Sequence, residues 1–357
     1  MFQVLLKSFF ALTLLLSATS GPACAETLLK GAGATFPYPL YSKWFQDYQA
    51  VDPGISFSYQ ATGSGDGIRQ IMAKSVEFGA SDKFLSDEEL KAAPGKLLHI
   101  PTVMGAVAVT YHVPGIGSGL RLTPEVVAGI YLGKITRWND PRLAKLNRGV
   151  KLPGQDIVVV HRSDGSGTTS IFTDYLSSVN GAWARNIGKG TTVAWPAGVG
   201  AKGSSEVVRV LKETPYSIGY VEIAYALENN LATAQLKNKS GRFVKPTMLS
   251  TRAAAVSAMQ RGDRGMLDQV QEELSERDYR ISLVNMPGKD VYPIVGLTWL
   301  LVYQQQEDAV KGKKLVEFLT WELKKAEKMT STLHYTPLPK NLADQVERTI
   351  KSIRVPE

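Results

Sequence analysis

The sequence predicts an α/β fold in which mostly parallel strands are flanked on both sides by helices. Short apolar runs alternate with helical patterns along most of the chain, and one plan of strand, glycine-rich turn and helix start occurs three times. Because ligands of such sheets bind beyond the carboxyl ends of the strands, the three turns are expected to mark a binding site. The segments that carry this plan are 27–37, 55–67 and 157–170.

The first 25 residues are predicted to be an export signal, so that residues 1–25 are removed on secretion. Lys7 is the single charge of this segment, residues 12–16 are apolar, and small residues surround Cys24 as at a cleavage site. The mature protein is therefore expected to be secreted. The alternative is a lipoprotein anchored through Cys24, but Gly21 stands where such sites usually have a leucine-like residue.

The cysteine content, length and net charge of the chain exclude several classes of site and partner. Cys24 is the only cysteine among 357 residues, so cleavage leaves no thiol, which excludes a disulfide framework, a cysteine nucleophile and a thiolate metal site. A chain of this length usually forms about two domains. The net charge of +8 suits an anionic ligand, whereas the lysines at 311–314 and 324–328 follow a helical pattern and indicate a solvated face. No nucleic-acid partner is expected.

The elements are predicted in a regular order. The first turn leads into a helix at 38–48 with an aromatic face, and the short apolar segment 76–82 stops on Asp82. Residues 97–113 are nearly uncharged and long enough for two buried strands, broken near Pro101 or Gly105. The remaining predictions are a loop-rich segment at 133–155, strands at 217–221 and 292–303, a hairpin at 235–247, and helices at 122–131, 205–212, 223–229, 253–259, 310–329 and 341–353.

Each of the three turns offers backbone N–H groups and a hydroxyl at a helix start, which is the arrangement that holds an anion. The residues concerned are Thr35 and Phe36, Ser64 and Gly65, and Ser166, Gly167 and Thr168. A hydroxyl in this position is also the usual helix N-cap, so a capping role without anion binding is an alternative for each turn.

Arg162 and Asp82 are the two charged residues expected to decide which anion the predicted site binds. Arg162 lies on the strand side of the third turn, where a bidentate contact with a tetrahedral oxyanion is favoured over a role as a strand-end charge. Asp82 would repel an anion unless one of the two carries a proton. Phosphate keeps a proton at neutral pH and sulfate keeps none, so an acid there favours phosphate. Alternatively, Asp82 caps the helix that starts at 86–89.

Six motifs in order resemble the periplasmic phosphate-binding proteins of phosphate-specific ABC transporters, from about residue 27 to the C-terminus. They are G-A-G-A-T-F-P (31–37), F-G-A-S-D (78–82), I-Y-L-G-K-I-x-x-W (130–138), D-G-S-G-T (164–168), I-G-Y-V-E (218–222) and Y-T-P-L-P (335–339). The resemblance implies a two-lobed periplasmic-binding-protein fold of type II, whose lobes are joined by a two-segment hinge. It places lobe 1 at 26–103 plus 294–357, lobe 2 at 104–293, and the crossings near 101–105 and 288–296.

The resemblance also implies a function. The protein would be a non-enzymatic, monomeric receptor without metal or cofactor, which captures inorganic phosphate between its lobes and delivers it to a membrane-embedded ABC permease. Phosphate would be bound by the set Thr35, Phe36, Ser64, Asp82, Arg162, Ser166, Gly167 and Thr168, with Asp82 accepting the phosphate proton and Asp164 holding Arg162. Asp66 departs from the pattern, and we predict that it turns outward and pairs with Arg69 three residues on.

Two other functions compete with this one. A secreted phosphatase would need a nucleophile or a two-metal cluster. His161, Asp164 and Ser166 lie within one turn without the elbow motif of a serine hydrolase, and no histidine has the spacing of a metal ligand. A receptor for another oxyanion is the nearer alternative, and Asp82 argues against sulfate.

Overall fold

A computed structural model describes residues 26–259 and 278–357, and the predicted export signal with Cys24 lies outside them. The strands are β1 (Thr27–Gly33), β2 (Ile55–Gln60), β3 (Phe78–Ser81), β4 (Leu97–His112), β5 (Arg121–Leu122), β6 (Val158–Arg162), β7 (Val199–Ala201), β8 (Ser217–Glu222), β9 (Ala232–Thr233), β10 (Gln235–Lys237), β11 (Phe243–Val244), β12 (Val295–Tyr303) and β13 (Thr336–Pro337). The helices are α1 (Tyr38–Val51), α2 (Ser64–Met72), α3 (Asp87–Lys91), α4 (Pro124–Tyr131), α5 (Pro141–Leu146), α6 (Gly167–Val179), α7 (Gly181–Asn186), α8 (Gly203–Glu213), α9 (Ile223–Glu228), α10 (Met248–Met259), α11 (Ala309–Thr332) and α12 (Lys340–Lys351).

The main sheet has the strand order β2-β1-β3-β12-β4-β8-β6-β7, with β9 and β13 also paired to β4. The outer strands of each half are parallel: β1 pairs with β2 and β3, and β6 pairs with β7 and β8. The central strands β4 and β12 run antiparallel to their neighbours. The α/β class is confirmed, and within the main sheet parallel pairing is confined to the outer strands, where helices connect successive strands. A small second sheet has the order β11-β10-β5, with β10 and β5 parallel.

Strand β4 passes through both halves of the sheet. Its first part pairs with β12 up to Ala106, and its second part pairs with β8 from Val107 onward. The prediction of two strands over residues 97–113 is wrong, because neither breaker ends the strand. Pro101 lies at a bulge, where the register shifts opposite Thr298 and Trp299, and a missing N–H is tolerated there.

Gly105 has a different reason for being small. A Cβ at this position would lie 2.5 Å from the Phe36 ring and 2.8 Å from Glu222 Oε1. Glycine therefore lets the first turn and the end of β8 approach the middle of β4. What looked in the sequence like a strand breaker is a point of close packing.

Each half of the sheet has its own aromatic cluster. The predicted apolar face of α1 is confirmed, and its Phe45 stacks on Phe57 at 4.5 Å between ring centroids. In the other half Phe172 of α6 stacks on Tyr220 at 4.3 Å. These clusters fix the helices against the strands, so the turns between them are rigidly placed.

The elements around the sheet largely match the sequence pattern. The hairpin of β10 and β11, the helix α8 and the two C-terminal helices are confirmed. Two short helices, α5 and α7, were not predicted; each begins at an Asp or Asn N-cap, Asp140 and Asn180. No helix among residues 26–259 and 278–357 is long and apolar enough to cross a membrane.

The carboxyl ends of the parallel strands form two edges that meet. We call the ends of β1, β2 and β3 the β1 edge, and the ends of β6, β7 and β8 the β6 edge. The Gly65 N–H donates to the Gly165 carbonyl at 2.8 Å across the two edges. A Cβ on either glycine would lie 3.2 Å from the Cα of the other, so the two turns touch backbone to backbone.

Candidate anion-binding site

The first turn, at the end of β1, presents Thr35 and Phe36 to the β6 edge. Thr35 Oγ1 lies 2.8 Å from Ser204 Oγ, at the start of α8. The carbonyls of this turn are held by two tyrosines: the Tyr225 hydroxyl donates to Thr35 O at 2.5 Å, and the Tyr335 hydroxyl donates to Phe36 O at 2.7 Å. The backbone of the turn is therefore fixed by two side chains from distant parts of the chain.

Ser64 and Asp82 form the acidic part of the β1 edge. Ser64 begins α2, and its hydroxyl accepts the Asp82 N–H at 3.1 Å. The Thr298 hydroxyl donates to Asp82 Oδ1 at 2.8 Å. Helix α3 is capped by Ser86 in a capping box with Glu89, so Asp82 is not the cap that the sequence left open.

The electrostatics of Asp82 are unusual. Its exposed fraction is 4%. Burial raises the pKa of its carboxyl from 3.8 to about 7, although the Thr298 hydroxyl, the Arg162 charge and the Ser64 hydroxyl act in the opposite direction. Near neutral pH this carboxyl is therefore poised to hold or to accept a proton.

Arg162 ends β6 and is also buried, with 4% of its surface exposed, which rules out the strand-end surface charge considered above. Its Nε donates to Asp164 Oδ1 at 2.7 Å, Nη2 donates to Oδ2, and Nη1 donates to Ser204 Oγ at 3.3 Å. The Gly203 N–H also donates to Asp164 Oδ1 at 2.9 Å. Burial would raise the pKa of Asp164, but the bonds and charge of Arg162 outweigh it and hold that pKa below its usual value.

The start of α6 supplies the third turn. Ser166 Oγ accepts the Thr169 N–H at 3.0 Å, so this hydroxyl is an N-cap, as the sequence allowed. Thr168 Oγ1 is buried and has no hydrogen-bond partner in the described residues. A Cβ at Gly167 would lie 2.3 Å from Ser64 Oγ and 2.6 Å from Asp82 Oδ2. The helix start thus abuts the acidic part of the β1 edge, and only glycine fits there.

Asp66 does not take part in this arrangement. Arg69 Nε donates to Asp66 Oδ1 at 3.0 Å, which confirms the predicted pair. Thr62 Oγ1 and Gln70 Nε2 donate to Asp66 Oδ2 at 2.5 and 2.7 Å. The carboxylate is engaged by its own turn and helix.

Three contributors to the site were missed in the sequence. Ser204 bridges Thr35 and Arg162, Thr298 holds Asp82, and Tyr225 holds Thr35. A signal existed only for Ser204, because β7, Gly203 and α8 repeat the plan of strand, glycine turn and helix a fourth time. Thr298 lies inside β12 and Tyr225 inside α9, where nothing in the local sequence marks them.

The three candidate hydrolase residues, His161, Asp164 and Ser166, are not assembled as a catalytic triad. His161 Nδ1 lies 3.0 Å from its neighbour's carbonyl, and the ring stacks on Trp195. Asp164 and Ser166, the other two candidates, are engaged by Arg162 and by the α6 backbone. Within residues 26–259 and 278–357 no group of three or more His, Cys, Asp or Glu side chains is placed to hold a metal ion.

A cavity of about 230 Å³ lies beside the site, and Asp82 is part of its lining. Lys83 and Trp299 line it from the β1 side, Ile171 from α6, and Leu283 from the segment before β12. Asp82 therefore stands between the enclosed polar turns and a more open space.

The two edges together enclose an arginine paired with Asp164, several hydroxyls, two helix starts and the Asp82 carboxyl, whose pKa is raised. Such a set suits a small oxyanion, and the fold and site together define a solute-binding protein of the periplasmic-binding-protein class. A family model described as a PBP superfamily domain matches residues 18–323.

Relatives of similar sequence identify the family within this class. The phosphate-binding protein PstS of Pasteurella multocida is 40% identical over 347 residues, which cover 97% of this chain and 96% of that protein. The PstS protein of Methanocaldococcus jannaschii is 39% identical, covering 88% of this chain and 84% of that protein. The chain belongs to the PstS family of phosphate-binding proteins.

Solved structures agree on the fold. A high affinity periplasmic phosphate-binding protein bound with phosphate is similar with a TM-score of 0.71 at 23% identity, covering 90% of this chain and 93% of that one. A phosphate-binding protein from Stenotrophomonas maltophilia is similar with a TM-score of 0.67 at 22% identity, with the same coverage. At these identities the likeness carries the fold, which confirms the predicted periplasmic-binding-protein architecture.

Proposed function

We propose that this protein binds inorganic phosphate between two lobes and delivers it to a membrane-embedded ABC permease, as a periplasmic, monomeric receptor without catalytic activity. The observation that carries this proposal is the opposition of Arg162 and Asp82, both buried, on the two edges of one enclosed site. A cation with N–H donors attracts an oxyanion, and the Asp82 carboxyl, when it is ionised at or above neutral pH, favours an oxyanion that brings a proton.

The lobes in this proposal are residues 26–103 plus 294–357, and residues 104–293. The change of partner along β4 between Ala106 and Val107 supports a crossing close to the first boundary. The Val107 N–H donates to the Ile294 carbonyl at 2.9 Å, so the two crossing segments lie side by side. A hinge of two adjacent segments lets the β1 edge and the β6 edge part and close again.

In the closed site we assign one role to each residue. Thr35, Phe36 and Ser64 donate from the β1 edge through N–H groups and hydroxyls, and Asp82 accepts the phosphate proton. Arg162, held by Asp164, donates from the β6 edge together with Ser166, Gly167 and Thr168. The unpartnered hydroxyl of Thr168 supports this assignment, because a buried hydroxyl without a partner costs about 1–3 kcal/mol unless a ligand satisfies it.

Removal of residues 1–25 as an export signal accounts for the location that the proposal requires. The competing functions make different predictions: a phosphatase would turn over phosphate esters, and a receptor for another oxyanion would bind sulfate as well as phosphate. The engagement of Asp164 and Ser166 by structural partners favours binding over catalysis.

Titration calorimetry of residues 26–357 with phosphate and with sulfate tests the proposal directly. We expect heat of binding with phosphate and little or none with sulfate at neutral pH. An absence of phosphate heat from ligand-stripped protein would end the main hypothesis. Equal affinity for both anions would replace it with a general oxyanion receptor.

A further inference from the structure

We propose that Tyr225 is a positioning residue for phosphate binding: from the β6 edge, its hydroxyl orients the peptide group through which Phe36 donates to the anion. This inference rests on the proposed function, because it concerns the same site. When the two edges close, the Tyr225 hydroxyl of one edge forms a hydrogen bond that orients the Phe36 N–H on the other edge.

The evidence begins with the bond itself. The Tyr225 hydroxyl donates to Thr35 O at 2.5 Å, and both residues are buried. Tyr225 lies in α9, directly after β8, whereas Thr35 follows β1, and these strands are on opposite sides of the central pair β4 and β12. The bond therefore joins the two proposed lobes.

The position of the bond decides its effect. The Thr35 carbonyl belongs to the same peptide group as the Phe36 N–H, and this group is rigid and planar. A donor that fixes the carbonyl also fixes the direction of the N–H on its other side. Hydrogen bonds in a chain also polarise one another, so the bond strengthens the Phe36 N–H as a donor. The same carbonyl accepts a longer bond from the Tyr38 N–H at 3.3 Å, which lies within the β1 edge.

Tyr225 is itself held in place by its helix start. Glu222 caps α9, and its Oε2 accepts the Ala224 N–H at 2.6 Å. The Asn229 side chain donates to the Tyr225 carbonyl at 3.0 Å. The tyrosine hydroxyl is therefore carried by a short helix that is fixed at both ends.

The adjacent peptide group provides an internal comparison. The Tyr335 hydroxyl donates to Phe36 O at 2.7 Å, and Tyr335 belongs to the same proposed lobe as Phe36. The peptide group between Phe36 and Pro37 has no N–H, because proline lacks one. Tyr335 can stabilise the turn but cannot prepare a donor in this way.

The test uses the exported protein purified from the periplasm of an expression host, with three variants that each lose one hydroxyl. They are Tyr225→Phe, Tyr335→Phe and Tyr175→Phe. Tyr175 is the matched control, because its hydroxyl is buried in α6 and has no hydrogen-bond partner in the described residues. Phosphate affinity is measured by calorimetry, and melting temperatures are measured with and without phosphate.

We expect Tyr225→Phe to bind phosphate about five- to tenfold more weakly, the loss expected for one hydrogen bond. Its ligand-free melting temperature stays close to that of the wild type, because the bond forms on closure. Tyr335→Phe lowers the ligand-free melting temperature and changes affinity less, and Tyr175→Phe binds within about twofold of the wild type.

Two results would overturn the inference alone: Tyr225→Phe binding as tightly as Tyr175→Phe, or Tyr225→Phe and Tyr335→Phe losing equal affinity and equal ligand-free stability. The second result would reduce Tyr225 to a packing residue. A wild-type protein that binds no phosphate would overturn the proposed function as well, so the two failures are distinguishable.

Discussion

The β1 edge and the β6 edge offer an anion different things. The β6 edge carries the only cation of the proposed site, yet Arg162 is paired with Asp164, so its charge is largely compensated and its remaining N–H groups act as oriented donors. The β1 edge carries hydroxyls and the buried acid Asp82. In the proposed function the anion is thus held by fixed dipoles, whereas the protonation state of one carboxyl selects the kind of anion. Affinity and selectivity would then reside on different edges, and each could be altered separately.

The largest effect is expected from the β6 edge. Arg162→Ala removes a proposed donor to the anion. It also leaves Asp164 buried without its charged partner, which costs about 3–5 kcal/mol of folding free energy. Phosphate affinity measured by calorimetry should fall at least a hundredfold. Arg209→Ala is the control, since Arg209 is an exposed residue of α8 that pairs with Glu206 and Glu213. An unchanged affinity of Arg162→Ala would remove this residue from the site.

The next effect concerns closure and pH. In the closed arrangement burial raises the pKa of Asp82 from its usual 3.8 to about 7. We predict that opening the two edges hydrates this carboxyl and lowers its pKa, so that closing without a ligand takes up a proton. Ligand-free closure is then unpenalised below the usual pKa, is opposed increasingly as pH rises from about 4 to about 7, and is opposed by a constant amount above that, at most about 4 kcal/mol. Small-angle scattering should show a smaller radius of gyration at pH 5 than at pH 8.

Asp82→Asn removes this dependence, because the amide has no proton to exchange in this range. The variant should keep one radius of gyration across pH 5–8, and Asp66→Asn should follow the wild-type profile, since Asp66 lies outside the anion set. A wild-type radius that does not change with pH would contradict the link between Asp82 and closure. A pH dependence that persists in Asp82→Asn would assign it to another buried acid, such as Glu222, whose pKa burial also raises.

Selectivity should change by a smaller amount. In the wild type at pH 8, sulfate brings no proton to Asp82, and the unfavourable contact costs about 1–3 kcal/mol. Asp82→Asn can donate an amide N–H instead, so sulfate should bind about ten- to a hundredfold more tightly than to the wild type. Competition of sulfate with phosphate in calorimetry measures this ratio. Equal exclusion of sulfate by both proteins would refute the role of Asp82 in selectivity.

The sequence predicted most of what each edge contains, since the relevant signals are local. The strand, glycine turn and helix start recur within about ten residues, and Asp66 with Arg69 is a contact within one helix. The three glycine-rich turns and the outward turn of Asp66 follow from such patterns. The same locality explains why α1 and its buried face could be read directly from the sequence.

What was missed depends on contacts between distant parts of the chain. Ser204 reaches Thr35 across 169 positions and Tyr225 reaches it across 190, so no local pattern shows that they share a site. The strand β4 was divided because proline and glycine usually end strands. Only the bulge opposite Trp299 and the approach of the Phe36 ring explain Pro101 and Gly105. Such explanations require the tertiary fold.

The smallest effect on phosphate affinity is expected for Asp66, the second acid of the β1 edge, which differs in this respect from Asp82. Asp66→Asn should change phosphate affinity by no more than about twofold, because Thr62, Arg69 and Gln70 already hold this carboxylate. Burial would raise the pKa of Asp66, but those hydrogen bonds outweigh it and lower the pKa. The ionised carboxylate therefore stabilises the fold above the usual pKa, and this contribution is lost as pH falls.

Stability, rather than affinity, should report on Asp66. A carboxylate in the first turn of α2 interacts favourably with the helix start, so Asp66→Asn should cost about 0.5–1 kcal/mol of unfolding free energy at pH 7 and less at pH 3. Urea denaturation at the two pH values measures the difference. A tenfold gain in phosphate affinity would show instead that Asp66 repels the ligand. In that case two acids, not one, would set the selectivity of the β1 edge.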